Sequence, residues 1–251
     1  MCTLSIFPQD DKLIITMNRD EKRNREEEGK FYTAASYCFP IDKLSQGTWV
    51  GTNNNGLAFS LLNRYQEPHH KHNIRSRGGI IPALLPCATV EDALEALKGF
   101  SFKTFNPFDL IIMSLEKIVH ATWNGKSLQL KEQDCNTPFF TTSSSEKIEQ
   151  VIEYRQNIFS KFLENYSNNT EFILEKLHLY RAQNKDDLAI NMSRKNTHTK
   201  SVTQIILTPY QSEIFYWPKI KDENDTKLSR ETAIYEQLTS DIKKSELFYS
   251  S

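Results

Sequence analysis

Short apolar runs separated by turn-forming residues dominate the first third of the chain. Residues 3–7 and 12–17 are strand-like and flank the turn-forming segment 8–11, which predicts a β-hairpin. Residues 48–52 and 56–63 form a second pair of strand-like runs around an Asn-Gly step, which is a strong turn signal. The pattern therefore predicts two antiparallel hairpins close to the N-terminus.

Polar segments and helices follow these strands. The highly charged segment 21–30 is interpreted as a solvated loop, and the polar, His-containing segment 65–77 as a second loop. Helices are predicted at 79–85 and 90–98, and Thr89 is positioned to cap the second of them.

Apolar residues at helical spacing predict a long amphipathic helix that begins at Ser145, and a further helix is predicted over 171–181. The remaining strand-like runs are residues 109–115, 118–123, 127–130, 139–142, 200–207 and 213–217.

The order of these elements predicts the fold class. Strands, paired helices, strands, paired helices and strands follow one another, and hairpin-linked strands pair antiparallel. Two antiparallel sheets with helices on the outside would bury both sheets. We therefore predict an α+β fold arranged as a four-layer αββα sandwich, rather than a doubly wound parallel sheet. We expect residues 1–251 to form one domain, with a charged C-terminal extension that starts at about residue 219.

Composition and charge exclude several classes of protein. The chain has 31 basic and 32 acidic residues, so its near-neutral balance favours neither nucleic acid nor an anionic membrane as a partner. No stretch is apolar for long enough to span a bilayer, and no secretory signal is visible at the N-terminus, so we expect a cytoplasmic protein. The four cysteines are scattered without a Cys-x-x-Cys pair, which argues against a zinc site.

Cys2 is a candidate nucleophile because of its position. Methionine aminopeptidase removes Met1 when the next side chain is small, and Cys2 would then carry both a thiol and a free α-amine. Such an amine has a pKa of about 7.7–8.0 and can accept the thiol proton, directly or through water. A neighbouring guanidinium lowers the pKa of a thiol, so an N-terminal Cys near an Arg contains both nucleophile and base.

Pairing of the first two strands would bring Cys2 close to residues 18–20. Arg19 could then stabilise a thiolate, Asp20 could hold the α-ammonium, and Asn18 or Asn63 could donate to an oxyanion. Strand alternation predicts that Asn18 and Asp20 share one face and that Arg19 points to the other, unless the strand bulges. The alternative is a solvated turn rich in local ion pairs.

Several motifs resemble one known family. The chain contains "MC" at its start, "NRDE" at 18–21, "GTWVGTNNNGLAFSLLNRY" at 47–65, "RSRGGIIPALL" at 75–85, "FNPFDLIIMS" at 105–114 and "TKSVTQIILT" at 199–208. Together these resemble the NRDE-motif family, also called the transport and Golgi organisation protein 2 family, whose animal members are associated with secretory-pathway organisation, haem handling and lipid metabolism. That family is in turn similar to N-terminal-nucleophile cysteine hydrolases such as the penicillin V acylase and bile salt hydrolase group.

The resemblance implies roles for particular residues. It implies an αββα sandwich with Cys2 as nucleophile, Arg19 and Asp20 as its companions and Asn63 as an oxyanion donor. In the cysteine hydrolases the Arg and Asp are separated by two residues, whereas here they are adjacent. Many family members carry an Asn where this chain has Ser144, which is a weaker substitute for polarising a carbonyl.

Several other side chains have both a functional and a simpler structural interpretation. Trp49 is either a core residue or a pocket wall. Arg75 and Arg77 flank the start of a predicted helix, where an anionic substrate could bind; a solvated face is the alternative. His198, Thr199 and Ser201 could line the site, although Thr is common in strands on structural grounds alone.

The histidines do not predict a metal site. His69, His70 and His72 could share an ion, but Lys71 disfavours a cation and a flexible loop is the simpler interpretation. His120 and His178 are expected to be packed or surface residues. If the protein bound haem, His120, His178 or Cys2 would have to coordinate the haem iron as axial ligand.

Two functions remain open. The first is an N-terminal-nucleophile-type cysteine hydrolase of a small amide or acyl compound, with no cofactor. In it Cys2, Arg19, Asp20 and Asn63 would be catalytic. The substrate would be contacted by Asn18, Trp49, Arg77 and Ser144. The second is a non-catalytic protein on the same scaffold that binds or transports haem, a lipid or another acyl compound.

Overall fold

The computed structural model describes residues 2–69, 75–166, 169–181, 185–218, 220 and 230–236. Within these ranges the strands, in chain order, are β1 (Cys2–Gln9), β2 (Lys12–Lys22), β3 (Glu27–Thr33), β4 (Tyr37–Asp42), β5 (Val50–Asn53), β6 (Ala58–Asn63), β7 (Phe108–Met113), β8 (Ile118–Trp123), β9 (Leu128–Gln133), β10 (Phe139–Thr142), β11 (Thr197–Leu207), β12 (Gln211–Trp217) and β13 (Glu231–Glu236). The helices are α1 (Ile80–Leu84), α2 (Val90–Lys98), α3 (Ile148–Glu164) and α4 (Thr170–Ile173), and α4 continues into a π-helical turn, Leu174–His178. Short 3-10 turns cover Arg77–Gly79 and Phe102–Thr104.

The strands form two antiparallel sheets. The first, sheet A, has the spatial order β10-β1-β2-β11-β12-β13, and the second, sheet B, has the order β3-β4-β5-β6-β7-β8-β9. The two longest strands, β2 and β11, lie side by side in the middle of sheet A. Sheet B is a simple meander, because every strand pairs with its neighbours in sequence.

Three apolar layers hold the four structural layers together. Leu4, Ile15 and Ile111 belong to a cluster that lies between the two sheets. Period-two alternation sends the intervening apolar residues outward: Phe7 of β1 packs against α3, while Phe59 of β6 packs against α1 and α2. The predicted α+β fold and four-layer αββα arrangement are confirmed.

The main differences from expectation concern polar strands. β2 does not end at Met17 but continues to Lys22, because β11 pairs with it along this whole length. The expected loop at 21–30 is in part the strand β3, and β4 was not predicted. β13 lies inside the expected charged extension and pairs with β12. Sheet pairing supplies backbone hydrogen bonds that stabilise these segments despite their polar side chains.

The helix boundaries differ by a few residues. The long helix begins at Ile148 rather than Ser145, and the helix expected over 171–181 ends in the π-helical turn at His178. Helix ends are the least certain part of a sequence-based assignment. The second predicted helix, α2, has the expected boundaries, and Thr89 forms a capping box with Asp92.

Candidate active site

The register of the first hairpin determines which side chains accompany Cys2. A two-residue connection joins β1 to β2, so Gln9 pairs with Lys12 and Cys2 lies opposite Arg19. Directly opposite residues of an antiparallel pair project from the same face. Cys2 and Arg19 therefore share the face of sheet A that looks toward sheet B. Asn18 and Asp20 share one face and Arg19 lies on the other, as strand alternation predicts, but the side chain that shares the face of Cys2 is Arg19, so the expectation that Asn18 and Asp20 would face Cys2 is wrong.

Asn18 projects toward the helical layer. Its amide nitrogen donates to the carbonyl oxygens of His178, at 2.9 Å, and Ile190, at 3.3 Å, while its side-chain oxygen contacts Nδ1 of His178. The side chain is fully buried and does not line the cavity described below. The structure thus places Asn18, expected to contact substrate, in a packed polar contact with the π-helical turn.

Asp20 is also held from the helical side. Its carboxylate accepts a hydrogen bond from Thr199 Oγ1 at 2.7 Å and forms an ion pair with Arg155 of α3 at 3.2 Å. A bulge in β11 between Thr199 and Ser201 lies opposite this part of β2. Both Asp20 and Arg155 have no exposed side-chain surface, so their pairing is the main compensation for burying two charges.

Arg155 was not identified from the sequence. Its guanidinium also donates to Thr3 Oγ1 at 2.7 Å, to Thr142 Oγ1 at 3.0 Å and to the carbonyl of Leu188 at 3.1 Å. It thereby joins β1, β2 and β10 behind Cys2. Burial lowers the pKa of Arg155, while the neighbouring carboxylate of Asp20 raises it. Arg155 lies four residues from both Val151 and Phe159, so its place on the apolar stripe of α3 is the sequence signal that marks it as buried.

Arg19 lies among carboxylates on the inner face. It pairs with Glu27 at 2.8 Å and with Asp42, and its guanidinium stacks over the ring of Trp49 at 4.5 Å. Burial lowers the pKa of Arg19, but Glu27, Asp42 and Glu21 together raise it above its ordinary value. Arg19 therefore stays charged, and much of that charge is already balanced.

Cys2 lies at the inner end of this arrangement with little exposed surface. Its backbone nitrogen donates to Ser143 Oγ at 3.1 Å, and its carbonyl accepts from the Ser143 nitrogen at 2.9 Å. Burial raises the pKa of the Cys2 thiol, and the Asp20 carboxylate adds to this effect. Arg19 and a hydrogen bond from the Asp20 backbone lower that pKa.

Ser143, rather than Ser144, contacts Cys2. The Ser144 hydroxyl donates to the carbonyl of Glu146 at 2.5 Å and accepts from Arg194 at 3.2 Å, and Ser144 is absent from the cavity lining. The signal for Ser143 is its place directly after β10, which pairs with β1.

A cavity of about 500 Å³ opens in front of Cys2. Its lining is strongly charged and also includes apolar side chains: Cys2, Arg19, Asp20, Glu21, Arg25, Asp42, Leu44, Ser45, Thr48, Trp49, Leu61, Asn63, Arg75, Ser76, Arg77, Gly78 and Asn106. The volume lies within the range of small-molecule sites. The lining thus includes Cys2, Arg19, Asp20, Asn63, Trp49 and Arg77, and it does not include Asn18 or Ser144.

Asn63 and Arg77 occupy different parts of the cavity wall. The Asn63 amide, at the end of β6, donates to the Tyr65 hydroxyl at 3.3 Å. Arg77 donates to the carbonyl of Pro107 at 2.7 Å. The buried indole N–H of Trp49 has no hydrogen-bond acceptor within the described ranges.

Two backbone segments meet at the rim of the cavity. The Thr48 nitrogen donates to the Gly78 carbonyl at 2.9 Å, and a Cβ added to Gly47 would lie only 2.3 Å from that same oxygen. Position 47 therefore requires glycine for this close approach. Gly47 also accepts from the Asp42 nitrogen at 2.9 Å, so the rim is tied to the carboxylate that pairs with Arg19.

Comparison with known proteins identifies the family. Residues 1–240 match the family described as Transport and Golgi organisation 2. The chain belongs to this family. A comparison with curated protein sequences finds no match.

Solved structures similar to this Transport and Golgi organisation 2 family member include N-terminal-nucleophile hydrolases. The Caenorhabditis elegans N-acylethanolamine-hydrolyzing acid amidase ortholog is 14% identical, with 83% of this chain and 93% of that chain covered and a TM-score of 0.57. Penicillin V acylase from Agrobacterium tumefaciens is 9% identical, with 92% and 85% covered and a TM-score of 0.51. At such identities the similarity shows the fold alone, an N-terminal-nucleophile-hydrolase-like scaffold.

None of the histidines that the structure describes lines the cavity. Nε2 of His120 bonds to Asp109 at 2.7 Å, and the fully buried His178 bonds to Ser5 Oγ at 2.6 Å. Burial lowers the pKa of His178 to about 3, so its ring is neutral. His69 contacts the carbonyl of Arg64. The other two histidines of the predicted loop, His70 and His72, lie outside the described residues.

The remaining strand candidates have structural partners. Ser201 Oγ donates to Glu27 at 2.9 Å, Thr199 contacts Asp20, and His198 forms an isolated bridge with Ser193. Among the residues that the structure describes, no group of His, Cys, Asp or Glu is arranged to hold a metal ion. In that same part of the chain, no helix has the length and apolar character needed to cross a membrane.

Proposed function

We propose that this chain is an N-terminal-nucleophile-type cysteine hydrolase that cleaves a small amide or acyl compound. The observation that carries the proposal is the position of Cys2. Its nitrogen is held by Ser143, its side chain faces Arg19, and a cavity of about 500 Å³ opens in front of it. The N-terminal-nucleophile-hydrolase-like scaffold supports this assignment.

The proposed reaction begins after removal of Met1. The α-amine of Cys2 accepts the thiol proton, and the sulfur attacks the substrate carbonyl carbon. The amine then returns the proton to the leaving nitrogen, the carbon–nitrogen bond breaks and a thioester forms. Water attacks the thioester with the amine as base, which releases the carboxylic acid and regenerates the thiol. One amide and one water thus yield one acid and one amine.

The surrounding residues have distinct proposed roles. Arg19 stabilises the thiolate, and Ser143 orients the α-amine through the 3.1 Å contact. Asp20 acts through its backbone N–H and its negative charge rather than as a direct base, because its carboxylate is engaged by Arg155 and Thr199. Asn63 turns its amide from Tyr65 to the oxyanion when substrate binds.

Site-selective acylation tests the proposal. We expect purified protein to show loss of Met1 by intact mass, and an electrophilic lactone or activated amide to acylate Cys2 at neutral pH. Cys2→Ala should abolish this labelling, and Arg19→Ala should reduce it strongly. Cys135→Ala is the matched control and should leave labelling unchanged. Equal modification of Cys38, Cys87 and Cys135, or retention of Met1 in the active form, would refute the mechanism.

Binding without catalysis is the second candidate function. It is favoured by the charge balance at Arg19, which Glu27 and Asp42 already neutralise, and by the burial that raises the pKa of Cys2. The protein would then hold a lipid, another acyl compound or haem in the same cavity. Within the described residues no histidine lines that cavity, and Cys2 is the lining side chain of that part of the chain that could serve as an axial ligand of haem.

Titration of Cys2→Ala protein with an acyl compound and with haem separates the two functions. Undiminished binding, together with no turnover by the unmodified chain across amides and thioesters, would select the binding function. Turnover that disappears in Cys2→Ala would exclude it.

A further inference from the structure

The arginines of the cavity fall into two groups. Arg19 and Arg25 form ion pairs with Asp42, and Arg19 also pairs with Glu27. Arg75 and Arg77 line the same cavity, but within the described part of the chain neither forms an ion pair with a carboxylate. Within these described residues, two positive charges at the cavity wall therefore have no direct counter-charge.

The acidic residues of the cavity do not fill this deficit. Asp20 pairs with Arg155, and Asp42 pairs with Arg19 and Arg25. Glu21 lies 3.8 Å from Arg19 and 3.9 Å from Arg25. Each lining carboxylate is thus closer to another arginine than to Arg75 or Arg77. A guanidinium remains charged in proteins and favours carboxylate or phosphate oxygens as partners.

The backbone holds Arg77 in place before any ligand binds. Its guanidinium donates a hydrogen bond to the carbonyl of Pro107 and carries further N–H donors besides the one used there. The close packing of Gly47 against Gly78 fixes the adjacent backbone. Arg75 is exposed and lies over the ring of Phe105 at 5.9 Å. A preorganised cation beside an exposed one suits recognition of an anion at a cavity mouth.

Apolar side chains also line the cavity and its rim. Trp49 and Leu61 form buried parts of the wall, and Leu44 is 77% exposed at the rim. An exposed leucine beside a cavity lined by cations fits a ligand with an apolar chain and a charged group.

We propose that Arg75 and Arg77 bind the anionic group, a carboxylate or a phosphate ester, of an acyl compound whose carbonyl lies at Cys2. The placement of the carbonyl rests on the proposed hydrolase function, whereas anion recognition by the two arginines is measurable without catalysis. The cavity then distinguishes acyl compounds by charge.

Binding to the full-length Cys2→Ala protein tests the inference directly. The probes are N-octanoylglycine, octyl phosphate and the neutral N-octanoylglycinamide, each titrated by calorimetry. We expect at least one anionic probe to bind about tenfold more tightly than the neutral amide, since charge-assisted hydrogen bonds are the stronger ones. Preference for N-octanoylglycine identifies a carboxylate site, and preference for octyl phosphate identifies a phosphate-ester site.

Variants at the two arginines show where the preference arises. Arg75→Gln with Arg77→Gln should abolish this preference, so that the anionic and neutral probes bind with equal affinity. Arg230→Gln, a surface arginine outside the cavity, is the control. Arg75→Gln alone should weaken anion binding about threefold, and its exposed position makes it safe for folding. Equal affinities for anionic and neutral probes, or a preference that survives the double variant, would overturn the inference.

A hydrolysis assay separates this inference from the proposed function. If the chain with Cys2 intact binds N-octanoylglycine selectively through the two arginines but cleaves none of the acyl probes, the hydrolase function fails and the anion site stands. If it cleaves N-octanoylglycinamide as efficiently as N-octanoylglycine, the anion site fails and the hydrolase function stands.

Discussion

The two faces of β2 carry polar groups of similar kinds in very different surroundings. On the helical side, Asp20 and Arg155 have no exposed side-chain surface, and Asn18 is enclosed with His178. On the cavity side, Arg19 shares its charge among several carboxylates around an open volume. The polar contacts of the closed face hold β2 in position. On the open face, a ligand that enters the cavity can exchange ion-pair partners with Arg19 and its carboxylates.

Removing Arg155 is the strongest test of the closed face. Arg155→Met leaves the Asp20 carboxylate buried without its ion pair, and breaking such a pair costs about 3–5 kcal/mol. We expect the free energy of unfolding, measured with urea, to fall by that amount. Arg230→Met is the surface control and should change little. Adding Asp20→Asn to Arg155→Met should restore part of the loss, and full additivity of the two changes would contradict direct pairing.

Acid should act on the same face through His178. Burial lowers its folded pKa to about 3, below the unfolded value of about 6.5, so the unfolded state binds more protons between these limits. Its contribution to stability is complete above pH 6.5 and is lost as the pH falls toward 3. By pH 5 the loss should reach about 2 kcal/mol.

Unfolding free energies measured from pH 7 to pH 5 provide the test. His178→Gln should be less stable at pH 7 and should flatten this part of the pH profile. His120→Gln is the control on the opposite sheet. An unchanged slope in His178→Gln would show that another group governs the acid response.

On the open face, neutralising one carboxylate should change the pKa of the Cys2 thiol. Glu27→Gln removes a negative charge that pairs with Arg19 while it keeps a similar shape. The positive charge of Arg19 then acts more fully on the thiol, so the pKa of Cys2 should fall. We expect alkylation of Cys2 at neutral pH to accelerate about threefold, because lower nucleophilicity offsets part of the gain in thiolate.

Glu26→Gln is the matched control for this measurement, since Glu26 is exposed and pairs with Lys43. It should leave the rate unchanged. A slower rate in Glu27→Gln would mean that Glu27 mainly positions Arg19 rather than neutralising it.

The contrast between the faces also explains what the sequence could predict. Short apolar runs at residues 3–7 and 12–17, with turn-forming residues between them, predicted the hairpin, and together with the helical patterns they predicted the four layers. The gathering of Cys2, Arg19 and Asn63 at one cavity was predicted from the hairpin and the family resemblance. These features depend on local periodicity and strand pairing, which the order of residue types expresses directly.

The remaining features depend on register and on distant partners. If Cys2 paired with Asp20 instead of Arg19, Asp20 rather than Arg19 would share the face of Cys2. The residue pattern does not specify this register, because both faces of β2 are polar here. Arg155 and Ser143 reach Cys2 and Asp20 from elements more than a hundred residues away in sequence. The sequences of β3 and β13 are polar and resemble loops. These two segments form strands because they pair with neighbouring strands, which their own sequences do not reveal.

The contact between Gly47 and Gly78 has a consequence for how ligand preference can change. A methyl group at position 47 would meet the Gly78 carbonyl and act as a wedge between the two rim segments. The separation of these segments is therefore set by backbone atoms alone. Side chains at positions 75 and 77 can be exchanged on this constant spacing, so the chemistry at the mouth can change while the two rim segments stay at the same separation.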